Sequence, residues 1–178
     1  MENLKRRVVT SLIFVAVFWM SLFHHRIGPH LAFVVVLAAT SLGLWELYNL
    51  VERKGIKVLR TCGIVTGCLL ALAGYIRLYD YQRIPLEYAA ILFLFFSTFL
   101  IQMKRGSKDA IQTVMGTFFG VLYVAAPLSS ILWIYHLQGG PWLLLFLFLV
   151  TCLNDIGAYV IGSKYGRRPL YPRLSPKK

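Results

Sequence analysis

Acid is scarce in this sequence. Seven of its 178 residues are Asp or Glu, and charged residues of all types make up 15%. That shortage excludes an ordinary water-soluble domain, which carries about a quarter of its residues charged. Cysteine is scarce as well. Cys62, Cys68 and Cys152 are odd in number and lie in apolar stretches, so neither a disulfide framework nor a metal site is supported, and they read as small packing residues. No small-residue cleavage pattern follows Phe23; His24, His25 and Arg26 do. Lys5, Arg6 and Arg7 therefore lead into an uncleaved first span rather than a secretory signal. No aromatic residues alternate with a basic groove on a soluble module, so the net charge of +12 does not point to nucleic acid.

What is present is apolar. Hydrophobic residues make up 58% and aromatics 15%, with a mean hydropathy of +0.66. Six apolar runs are bounded by charges: Val8 to Phe23, Ile27 to Trp45, Cys62 to Ile76, Pro85 to Ile101, Ala110 to Leu137, and Pro141 to Gly162. The pattern predicts an all-α integral membrane protein, a polytopic bundle of about six transmembrane helices. Several runs fall short of the ~20 residues a straight crossing needs, so their helices are expected to extend into the flanking residues or the bilayer to thin around them. The third holds Gly63, Gly67 and Gly74. Pro127 in the fifth predicts a kinked span or a helix with an amphipathic lead-in. Residues 1–162 form the membrane region, and 163–178 a basic cytoplasmic tail or the start of a cytoplasmic loop.

Charge placement orients the spans, because Lys and Arg concentrate on the cytoplasmic side. With both termini inside, that side holds Lys5, Arg6, Arg7, Arg53, Lys54, Lys57, Arg60, Lys104, Arg105, Lys108 and six cations of the tail, sixteen of the nineteen. Arg26, Arg77 and Arg83 fall outside. A basic cytoplasmic face also attracts anionic headgroups and nucleotide phosphates.

Other features are structural. His24, His25 and His30 lie in a short outer loop with no acid or thiol near them, so they read as interfacial residues rather than metal ligands. The Gly-x-x-x-Gly spacings at Gly63 and Gly67, and at Gly116 and Gly120, predict close helix approach. Glu46 ends the second span, where an acid either marks the interface or faces the same site as the tail.

Asp155 is the costly residue. A twelve-residue apolar run from Trp142 to Leu153 precedes it. A carboxylate at the centre of a membrane helix costs about 2.5 kcal/mol or more, so it needs a polar cavity, a cation or a basic partner. Helical spacing groups Thr151, Asp155, Ala158, Tyr159 and Gly162 on one small and polar stripe, expected to face the bundle interior. The alternative is a structural hydrogen bond between helices. Downstream, Lys164, Arg167, Arg168, Arg173, Lys177 and Lys178 are interleaved with Gly166, Pro169, Pro172 and Pro176. Such a loop suits a polyphosphate, because glycines let backbone N–H groups approach and Arg and Lys hold phosphate oxygens. It is not a Walker A loop, since Gly162-Ser-Lys-Tyr-Gly166-Arg-Arg lacks the Gly-Lys-Ser/Thr ending. A basic tail that only fixes orientation is the plainer reading.

At these residues the sequence resembles the phosphatidate cytidylyltransferase family of integral membrane enzymes. The matching segments are Lys5-Arg6-Arg7, Trp45-Glu46, Gly120-x-x-Tyr123 with Pro127-Leu128, and above all Asp155-x-x-Ala158-Tyr159-x-x-Gly162. Gly166-Arg167, Leu170, Pro172 and Ser175-Pro176-x-Lys178 follow. The family's carboxy-terminal Lys-Asp, His-Gly-Gly and Asp-Arg-x-Asp elements are not in this sequence, which implies a truncation, an interrupted reading frame or one half of a split enzyme.

The resemblance implies attack of the phosphate of phosphatidic acid on the α-phosphorus of CTP, giving CDP-diacylglycerol and diphosphate, with magnesium as cofactor. It implies Asp155 as a metal ligand or its organiser, Asp155, Lys177 and Lys178 as catalytic residues, and Arg167, Ser175, Tyr159 and Glu46 as substrate-binding residues. CTP, phosphatidic acid and membrane lipid are the implied partners, with a homo-oligomer or a complementary C-terminal polypeptide, in a bacterial inner membrane. Two rivals stay open. One is an ion- or proton-coupled transporter component with Asp155 as relay, against which no internal repeat of the spans is evident. The other is a non-catalytic subunit or defective remnant.

Overall fold

The structure, a computed structural model, describes residues 2–77, 86–106 and 108–165. Within the described residues each apolar run lies, to within a residue at its ends, inside a single helix or a continuous rod of helices. They are α1 (Glu2–Phe23), α2 (Gly28–Arg53), α3 (Arg60–Arg77), α4 (Leu86–Arg105), α5 (Ala110–Gly120), α6 (Ala126–His136) and α7 (Gly140–Tyr165). A π-helical turn, Val121–Ala125, joins α5 to α6 into one rod. No strand occurs among the described residues. Four rods are long and apolar enough to cross a membrane: Gly28–Arg53, Leu86–Arg105, Ala110–His136 and Gly140–Lys164. The third run yields an 18-residue helix containing three glycines and falls short by this measure. The chain is thus a helical membrane protein with four clear spanning helices.

Pro127 explains the π turn. It offers no N–H to the preceding turn and its ring crowds the carbonyl four residues back. The chain widens just before it, where the Ala126 N–H donates to Val121 O five residues back. The rod therefore stays continuous, which settles the expected kink as a π bulge.

The short helix α3 is the hub, packed against α2, α4 and α6. Its small residues explain this, since glycine and alanine let neighbours approach closely. One apolar cluster joins Leu44, Tyr48, Leu70, Ala90, Leu94, Val121 and Ala125. A second joins Ala32, Val36, Ala71 and Leu132 towards the other end of α3.

The expected Gly-x-x-x-Gly contacts take a different form from helix-on-helix approach. Both motifs receive side chains of α2. Tyr48 is fully buried between α3 and α5, where a Cβ at Gly63 would lie 2.6 Å from its Cζ and one at Gly120 2.7 Å from the same atom. A Cβ at Gly67 would meet Leu44 and Thr40, and one at Gly116 would meet Val58. Tyr48 Oη–H donates to the Thr117 carbonyl at 2.8 Å. Thr117 is tied twice more, since its hydroxyl donates to Thr113 O at 2.7 Å and accepts from the Leu59 N–H at 2.9 Å. Thr66 and Thr98 likewise return their hydroxyls to carbonyls four residues back. Thr66, Thr98 and Thr117 are thus satisfied within the bundle, as a medium without water favours, while the buried Thr40 Oγ1 and Gln102 Oε1 have no hydrogen-bond partner among the described residues.

The three cysteines are free and partly buried, in keeping with a packing role. His24 accepts a hydrogen bond from the Ile27 N–H, and His30 pairs with the Tyr75 hydroxyl. No group of three or more His, Cys, Asp or Glu able to hold a metal comes together among the described residues.

Candidate functional site

Helix α7 presents the residues that the sequence singled out. It packs only on α6 and α1 among the described residues. The contacts lie in its first half, where Leu144 is buried, Trp142 stacks edge-on at 4.9 Å from Phe23 and Phe148 lies 4.4 Å from Phe18. Beyond Phe148 the helix runs clear of the bundle. From Val150 to Lys164 every residue except Cys152 and Gly157 is exposed.

The expected inward stripe is therefore not inward here. Thr151, Asp155, Ala158, Tyr159 and Gly162 are all exposed, Tyr159 at 76%. A Cβ at Gly157 or Gly162 would meet nothing within 4 Å. The physical reason is that α1 and α6 are the only helices in contact with α7, and neither covers its second half. Asp155 has no hydrogen-bond or ion-pair partner among the described residues, while Thr151 and Ser163 satisfy their hydroxyls on their own helix. A carboxylate left bare on a membrane helix is costly.

Glu46 lies exposed on α2 beside Trp45, which is 54% exposed. Helices α2 and α7 do not touch, so the structure does not bring Glu46 and Asp155 together. Lys164 lies exposed in the last turn of α7. Arg167, Ser175, Lys177 and Lys178 lie outside the described residues. Asp155 alone does not make a magnesium site, and the described residues supply no set of ligands to complete one.

Sequence reasoning missed a second polar locus, the connection from α2 to α3. Glu52 accepts two hydrogen bonds from the Arg60 guanidinium, one from Nε at 2.8 Å and one from Nη2. Lys57 Nζ stands 4.0 Å from Asp109 Oδ2. The available signal was Glu52 standing eight residues before Arg60 across a short loop, which the count of basic residues passed over.

Residues 5–178 match the cytidylyltransferase family. An uncharacterized protein of Escherichia coli, YnbB, is 29% identical over 82% of this chain and 65% of its own length. The phosphatidate cytidylyltransferase of Bacillus subtilis is 23% identical over the whole chain and 65% of its length. That of Thermotoga maritima is 29% identical over the whole chain and 62% of its length. The chain thus spans about two thirds of the length of these curated relatives. No solved structure matches it. An apolar helical bundle whose sequence is matched from residue 5 to residue 178 belongs to the cytidylyltransferase family.

Proposed function

We propose that this chain is the membrane-embedded part of a phosphatidate cytidylyltransferase. The observation that carries the reading is the family match along residues 5–178, together with whole-chain similarity to enzymes of that name. The exposed carboxylate of Asp155 supports it. A phosphate oxygen of phosphatidic acid attacks the α-phosphorus of CTP, a new P–O–P bond forms, the bond between the α- and β-phosphates breaks, and diphosphate leaves. Two anions must meet, so cations have to offset their repulsion. Lys177, Lys178 and Arg167 hold phosphate oxygens in this reading and Ser175 adds a hydrogen bond. Tyr159 and Glu46 contact substrate.

Asp155 serves as one carboxylate of a magnesium site whose other ligands lie outside the described residues. The stripe around it is covered by the segment corresponding to the remaining third of the relatives' length, on the same or a separate polypeptide. A second copy of the chain is the alternative cover.

The chemistry dictates the test. With α-labelled CTP and phosphatidic acid the label enters the lipid, and with γ-labelled CTP it leaves as diphosphate. Label from the γ position in the lipid would indicate phosphorylation and sink the reading.

We further propose six membrane passes with both termini cytoplasmic, on the strength of the sixteen-to-three distribution of Lys and Arg, and a bacterial inner membrane, which the short spans suit. A single cysteine placed at His25 should react with an impermeant thiol reagent only from outside, and one at Lys54 only from inside. Reaction of both from one side would refute the topology.

A further inference from the structure

A cavity of about 360 Å³ opens where α2 passes into α3, lined by Glu52, Gly55, Ile56, Lys57, Val58 and Arg105. We infer that it is a binding site for the phosphate of an anionic lipid headgroup, separate from the Asp155 face.

The loop that shapes it is fixed from both sides. Gly55 has φ +82°, a backbone that other residues rarely adopt, and its N–H donates to Glu52 O at 2.9 Å. The Lys54 N–H donates to Val51 O at 3.1 Å, and the far end of the loop is held by the Leu59 N–H on Thr117. A cavity preformed in this way binds without first ordering its own wall.

Its charge favours an anion. The only acid in the lining is Glu52, whose two oxygens both accept from Arg60, so its charge is already matched. Lys57 faces Asp109 across 4.0 Å with its side chain 75% exposed, and three N–H donors on one ammonium leave room for a second acceptor. Arg105, at the end of α4, has no partner among the described residues. Two cations, Lys57 from the loop after α2 and Arg105 from the end of α4, therefore line one opening, and a guanidinium can grip a phosphate through two oxygens.

Its position favours a lipid over a soluble phosphate. The cavity sits at the ends of α2 and α4, two of the helices long and apolar enough to cross a membrane, which places it at headgroup depth. Ile56, 38% exposed, and Val58 give it an apolar wall on which a glycerol or acyl stem can lie. The inference does not rest on the proposed reaction, because it is read by binding and not by turnover.

The test uses the full chain in phosphatidylcholine nanodiscs, titrated with phosphatidic acid, inorganic phosphate and CTP in separate arms. Lys57→Gln with Arg105→Gln should weaken phosphatidic acid binding about tenfold or more. Lys104→Gln with Lys108→Gln removes as much charge outside the cavity and should change it less than twofold. Equal losses in the two double variants would show only a diffuse surface potential and overturn the site. A loss confined to the CTP or inorganic phosphate arm would overturn the lipid assignment. Should the first pair not fold, Arg105→Gln alone, at an exposed helix end, carries the same comparison with about a threefold loss, and an unchanged affinity there would overturn the site.

Discussion

Asp155→Asn in a complete or reassembled enzyme is expected to lower CDP-diacylglycerol formation by about 100-fold or more, a loss typical of removing one electrostatic contributor from a reacting centre. In this chain by itself the same substitution should leave thermal stability within about 0.5 kcal/mol, because an exposed side chain away from packing contacts contributes little to folding. The contrast separates the two readings of this residue. Asparagine keeps the size of aspartate and one acceptor oxygen but not its charge, so a purely structural hydrogen bond accepted by that oxygen would survive the change. Unchanged turnover and unchanged magnesium dependence would remove Asp155 from the reacting centre. Tyr159→Phe, on the same face, tests a hydrogen bond rather than a charge and should cost less.

Gly63→Ala is expected to cost about 3 kcal/mol of stability, the upper part of the range for overpacking a filled site. Alanine ordinarily favours a helix over glycine by up to about 1 kcal/mol, so the sign depends on whether the neighbour can move. Here it cannot. The added methyl would fall within 2.7 Å of both Cζ and Cε2 of Tyr48, and Gly120 crowds the same ring at Cε1, where a Cβ would also have no room. The hydroxyl is tethered to the Thr117 carbonyl, which removes rotation as an escape. Gly120→Ala meets the same ring at Cε1 and should behave alike. In a Tyr48→Ala background the cost of Gly63→Ala should fall below about 1 kcal/mol, a coupling that a double-mutant cycle in a denaturant titration reads directly. An undiminished cost there would show that the clash is not with Tyr48.

Much of the fold could be read from the amino acids because hydropathy reports directly on what a bilayer demands. The runs from Ile27, Cys62, Ala110 and Pro141 all fall inside helices, displaced at their ends by a few residues, since helices continue into charged flanks such as Lys104 and Arg105. Other features depended on which helices touch, and periodicity along one helix does not contain that information. The stripe through Thr151, Asp155 and Tyr159 was expected to face the bundle interior and is exposed instead, because what packs on α7 cannot be read from α7 alone. Gly63 and Gly120 were recognised as places of close approach, yet the ring that fills them comes from Tyr48, 15 residues before one and 72 before the other in the sequence. The cavity beside Lys57 was hidden for another reason. Its cations had already been assigned to membrane orientation, and only the three-dimensional arrangement shows Arg105 of α4 meeting the loop after α2.

The most direct measurement is CDP-diacylglycerol formation in liposomes from α-labelled CTP and phosphatidic acid with magnesium, using this chain alone and then with a polypeptide supplying the family's carboxy-terminal elements. The structure leaves the Asp155 face uncovered, so label should enter the lipid on mixing and not with the chain by itself. Full turnover by the chain alone would contradict the need for a covering segment, and no turnover in the mixture would contradict the proposed enzyme.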